Sequence, residues 1–87
     1  MRYVFEPKNV CSRLMILDIE DNVIRHAQVI QGCPGNSLGI CRLIVGRTTQ
    51  EVISLLKGTP CGRKSTSCPD QMAIMLEKIN AGEIVPE

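Results

Sequence analysis

Three glycines, Gly46, Gly58 and Gly82, each stand just past an apolar segment of helical spacing, and all lie in the C-terminal half of the chain. Glycine enters the left-handed backbone region without a steric penalty, so in that place it marks the end of a helix. The segments they close carry Leu38, Cys41, Ile44 and Val45, then Val52, Ile53, Leu55 and Leu56, then Met72, Met75, Leu76 and Ile79. Each has a matching start. Gly32-Cys33-Pro34-Gly35-Asn36 breaks the preceding run and opens the first helix. Thr48-Thr49-Gln50-Glu51 fits a capping box for the second. Ser67 opens the third, with Asp70 as its capping partner and Pro69 in the first turn. Between the last two, 59–66 reads as a polar loop carrying Cys61, Arg63 and Lys64.

The N-terminal part has a different rhythm. Residues 2–6 form a short strand closed by Pro7, and 11–20 an apolar run of strand length. The run's own periodicity is poor. Its strand character rests on the polar turn Glu20-Asp21-Asn22 and on the β-branched partner at 23–31 that follows. Strands first and helices after give an α+β class: a small antiparallel sheet of two or three strands, with three helices packed on one face.

A chain of 87 residues makes a single domain, 1–87, that buries only about 60–65% of its unfolded surface. Its core is therefore small, and a bound metal would help to hold it. Tyr3 and Phe5 are the only aromatic residues, so the core is built from Ile, Leu, Val and Met, and the methionines at helical spacing belong to it. A net charge of +1 provides no field to gather nucleic acid or anionic lipid, and two rings at one end provide no stacking platform. No run approaches 18 apolar residues, and Met1 is followed by Arg-Tyr-Val-Phe-Glu-Pro, so neither a membrane span nor a secretion signal is expected. Five cysteines without such a signal favour the reducing cytoplasm, where thiols serve metal or redox chemistry more often than structural disulfides.

Four of those cysteines fall where loops meet element ends. Cys11 is at the entrance to the long strand and Cys33 at the exit of its antiparallel partner, which puts both at one edge of the sheet. Cys68 lies in the first turn of the third helix, where unpaired N–H groups and the helix dipole favour a thiolate. Cys61 is on the loop leading there. Converging thiolates of this kind suit a soft divalent metal or an iron–sulfur cluster, although no CxxC pair is present and the fold itself must assemble the site. The alternatives are that the thiols simply pack as small hydrophobes, or that Cys61 and Cys68 form a reversible disulfide, which leaves Cys11 and Cys33 unexplained. Cys41, on an apolar helical face, reads as core. Arg13, Arg63 and Lys64 lie near the proposed site, either offsetting the charge of a tetrathiolate or merely solvated. His26, in mid-strand, reads as a surface residue. No serine has a histidine and carboxylate arranged around it, and no phosphate loop occurs.

The run Thr66-Ser67-Cys68-Pro69-Asp70 spells the motif for which the TSCPD domain is named, and three further motifs agree in order: Val10-Cys11-Ser12, Gln31-Gly32-Cys33-Pro34-Gly35-Asn36 and Pro60-Cys61-Gly62. Over nearly its whole length the chain resembles a small stand-alone member of that family. A related domain ends the adenosylcobalamin-dependent ribonucleotide reductases, but 87 residues leave no room for the reductase barrel, its radical cysteine or a cobalamin site. The resemblance implies metal binding. A second similarity is to iron–sulfur cluster scaffolds of the NifU N-terminal type, whose three cysteines would fall on Cys11, Cys33 and Cys68. Arg13 and Ser67 stand where those scaffolds carry an aspartate and a histidine. With Cys61 as fourth ligand, the expectation is a closed structural zinc site of Cys11, Cys33, Cys61 and Cys68 in a binding or accessory module without catalysis of its own. Such a module would dock on a protein partner, a ribonucleotide reductase or a redox protein. The alternative is an iron–sulfur carrier or thiol-redox protein.

Overall fold

The computed structural model describes residues 1–8, 10, 12–31, 34–59 and 66–87, and for 34–37 the backbone alone. Three strands, β1 (Arg2–Phe5), β2 (Leu14–Glu20) and β3 (Val23–Ile30), precede three helices, α1 (Pro34–Ile44), α2 (Thr49–Leu56) and α3 (Cys68–Asn80). The strands form one antiparallel sheet in the order β1-β2-β3. The α+β arrangement expected from the sequence is the one observed. Three strand boundaries move inward: β2 begins at Leu14, with Ser12 and Arg13 outside it, β1 stops at Phe5, and β3 stops at Ile30.

Glu20 pairs with Val23, so Asp21 and Asn22 alone make the β2–β3 turn, and both take positive φ, 52° and 66°. That is the requirement of the tightest hairpin turns, and Asp and Asn tolerate it better than other non-glycine residues. Gln31 leaves β3 the same way, with φ 57°.

Alternation along β2 then decides the core. Met15, Leu17 and Ile19 are buried, while Leu14, Ile16 and Asp18 on the other face are only partly covered. Ile24 joins them from β3, and Ile44, Val52, Met72, Met75 and Leu76 close over them from the helices. Tyr3 lies opposite Leu17 and Phe5 opposite Met15, so both rings sit at the rim of this aliphatic cluster. Leu17 is wholly enclosed. Leu17→Ala is expected to cost about 2–5 kcal/mol, read as a lower urea midpoint with an unchanged slope.

Three apolar residues expected on the inner stripes lie outside them: Leu38, Val45 and Leu55 are exposed, Leu55 at 63%. The cause is angular. At 100° per residue, Leu55 points about 110° from the centre of the stripe formed by Thr49, Val52, Ile53 and Leu56. Leu38 and Val45 are similarly displaced from the line of Ile40, Cys41 and Ile44 that α1 turns to the core. A helix touching the core along one line buries a narrower stripe than its apolar content suggests.

Gly46, with φ 91°, ends α1 and turns the chain back onto the sheet. There its N–H donates to the Ile24 carbonyl at 2.7 Å, and the Ile24 N–H donates to the Arg47 carbonyl at 2.9 Å. This segment covers the start of the β3 edge. Thr49, buried, donates its hydroxyl to the Asn22 side-chain oxygen at 2.7 Å and pins the hairpin turn to α2.

The capping box is complete. The Thr48 hydroxyl accepts from the Glu51 N–H, and the Thr48 N–H donates to the Glu51 carboxylate at 3.1 Å. Those Thr48 donors, the backbone N–H first and then the hydroxyl, hold the Glu51 carboxyl below its ordinary value, with a smaller contribution from the Arg47 cation. A carboxyl depressed in the folded state contributes stability above the ordinary glutamate range and loses it as pH falls through the folded value. Thr48→Ala is expected to cost about 1 kcal/mol and to move the Glu51 titration, followed by NMR, back toward the ordinary value.

Candidate metal centre

The start of α3 gathers most of the buried polar side chains among the described residues: Thr66, Ser67, Asp70 and Gln71 are each under one-tenth exposed. Ser67, extended at φ −153°, is the N-cap; its hydroxyl accepts from the Asp70 N–H at 3.2 Å and donates to the Thr59 carbonyl at 2.6 Å. Asp70 does not complete a capping box. Its two carboxylate oxygens instead accept from the Gly58 N–H and from the Thr66 hydroxyl, both at 2.6 Å. Gln71 extends the chain of bonds. Its amide N–H donates to the Thr66 hydroxyl at 2.9 Å, and its carbonyl accepts from the Lys8 N–H at 3.1 Å. A buried carboxylate is tolerable only with donors on both oxygens, and this one has them from two chain segments at once. The segment before β2, the end of the α2 turn and the start of α3 are thereby held at one place.

Cys68 opens α3 half-buried, and its Sγ lies 3.1 Å from the hydroxyl of buried Ser12. Ser12 precedes the start of β2 by two residues, and its neighbour Arg13 donates its N–H to the Ile30 carbonyl at 2.8 Å. The cysteine at the helix start, the entry to β2 and the exit of β3 therefore share one corner. The sequence set the β2 entry beside the β3 exit, and the Arg13–Ile30 bond joins their described residues; the start of α3 meets them through Ser12 and Cys68.

Of the four cysteines proposed as ligands, Cys68 is described; Cys11, Cys33 and Cys61 lie outside the described residues, as do Arg63 and Lys64. Among the described residues no three His, Cys, Asp or Glu side chains gather as a metal would require. Arg13 is exposed beside this corner, and His26 is exposed in mid-strand opposite Asp18, several residues from it. Cys41 is buried, as expected for a core residue. Burial pushes its thiol up from the ordinary value, partly offset by a hydrogen bond from the backbone of Val29. In the folded protein Cys41 should alkylate slowly at neutral pH and react fully on denaturation, a difference that mass spectrometry resolves.

Two contributors escaped the sequence reading. Ser12 gave a weak signal as a polar residue beside a cysteine just before an apolar run. Gln71 gave a stronger one, being a polar residue one position from the methionine stripe of α3.

A family model for the TSCPD domain matches residues 2–80. A search of curated proteins and a search of solved structures each found no match. The family match runs from the first strand through the last helix and includes the corner built by Ser12, Thr66, Ser67, Cys68 and Asp70, and the chain belongs to the TSCPD domain family.

Proposed function

We propose that the protein is a small metal-binding module in which Cys11, Cys33, Cys61 and Cys68 hold one zinc ion, and that the folded unit acts as an accessory domain docking on a protein partner. The observation that carries this reading is the meeting of Ser12 with Cys68 beside the exit of β3 and the Thr59 carbonyl. Cys11 is bonded to Ser12, Cys33 follows Gln31 by two residues and Cys61 follows Thr59 by two. Two residues of extended chain reach about 7 Å, so chain connectivity permits each of these cysteines to reach the corner that Cys68 occupies. The donor chemistry fits as well. Four thiolates satisfy tetrahedral zinc completely and leave no open position for catalysis. A domain with so small a core gains from such a site.

Metal analysis of anaerobically purified protein without a metal-affinity tag tests the reading. Colourless protein with one zinc per chain, and four thiols that react only after a chelator is added, supports it. Brown protein with visible absorption replaces zinc by an iron–sulfur cluster. Metal-free protein whose thiol reactivity ignores the chelator overturns metal binding altogether. The partner we propose is a ribonucleotide reductase or a redox protein of the reducing cytoplasm. Calorimetry with purified reductase should show binding by the metal-loaded chain and none by the chelated one.

A further inference from the structure

We infer that Ser12 is a positioning residue of the cysteine centre, its hydroxyl donating to the Cys68 thiolate and setting how strongly that sulfur holds a metal. The inference rests on the four-cysteine reading above and adds to it a residue outside the ligand set. Ser12 is buried at 5% exposure, and the Cys68 sulfur lies at hydrogen-bonding distance, 3.1 Å. A cysteine sulfur that binds a metal does so as a thiolate, which only accepts, so in the loaded site the proton of this pair belongs to the serine oxygen. A sulfur has lone pairs for both a metal and one such donor. The O–H withdraws charge from the thiolate, which matters in a site where four thiolates around zinc leave a net charge of minus two.

The arrangement also couples two ligands. Ser12 shares a peptide bond with Cys11, so the residue that would present one sulfur to the metal lies beside the donor that steadies another. The Thr66–Asp70–Gln71 network ties the start of α3 to Gly58 and Lys8 and so holds Cys68 in place for this contact.

The test uses the full chain loaded with cobalt(II) or zinc, comparing the parent with Ser12→Ala and Ser12→Thr. Loss of the hydroxyl raises the energy of the sulfur electrons, so the sulfur-to-cobalt charge-transfer band of Ser12→Ala should move to longer wavelength. Zinc affinity, from competition with a chromophoric chelator, should fall by about ten- to a hundredfold. Ser12→Thr keeps the hydroxyl and should restore both. A serine that merely filled a buried polar position would lower the melting temperature of Ser12→Ala and leave the band unmoved, and that result overturns the inference while the four-cysteine site stands. A parent chain that takes up neither ion removes the metal site, and this inference with it.

Discussion

On the proposed four-cysteine zinc site, Cys68→Ser or Cys33→Ser is expected to lose stoichiometric zinc and to lack a cooperative thermal transition at the parent's temperature. The size of the effect follows from two magnitudes. Structural zinc contributes an apparent binding energy of about 10–16 kcal/mol at neutral pH. A domain of this length has a total stability of about 4–13 kcal/mol. A serine hydroxyl is a poor replacement for a thiolate on zinc, so the folded state of either variant loses a contribution as large as its whole margin. Circular dichroism melting together with metal analysis reads both consequences. A Cys33→Ser protein that melts like the parent and keeps one metal per chain would remove residue 33 from the site.

Asp70→Ala carries the second largest expected cost, about 3–5 kcal/mol. The carboxylate is 5% exposed and receives two short hydrogen bonds, from the Gly58 N–H and the Thr66 hydroxyl. Hydrogen bonds to a charged group contribute about 1.5–3 kcal/mol each, and alanine also leaves the buried Thr66 hydroxyl without this acceptor. Asp70→Asn should fall between alanine and the parent. Its one carbonyl oxygen can still take the Gly58 N–H, while its amide meets a Thr66 hydroxyl that already accepts from Gln71. Urea titration ranks the three proteins, and amide exchange at Gly58 should accelerate most in the alanine variant. Equal stability of Asp70→Ala and the parent would show that the bonds at the start of α3 do not hold the turn after α2 in place.

The order of elements was readable in the chain because the signals that punctuate helices and hairpins are local. Asp21-Asn22 supplies two residues that tolerate positive φ, and they make the turn. Thr48 and Glu51 are three residues apart, and their reciprocal bonds need nothing from the rest of the fold. The width of each buried stripe was not readable. Leu38, Val45 and Leu55 are as apolar as their buried neighbours, and only the lines along which α1 and α2 meet the core leave them outside. Asp70 shows the same limit from the polar side. Its spacing from Ser67 matched a local cap, yet its carboxylate turned to Gly58 and Thr66, where a second segment offered better donors.

The candidate site divides along the same line. Which cysteines stand at element ends follows from residue order alone, and so does the favoured position of Cys68 at a helix start. That Ser12 meets its sulfur, and that the β2 entry, the β3 exit and the start of α3 share a corner, depends on how the hairpin lies against the third helix. Caps and turns are bonded within a few residues, so the chain alone determines them. Contacts between residues 12 and 68 exist only after the aliphatic core has drawn sheet and helices together, and the tertiary structure alone decides those.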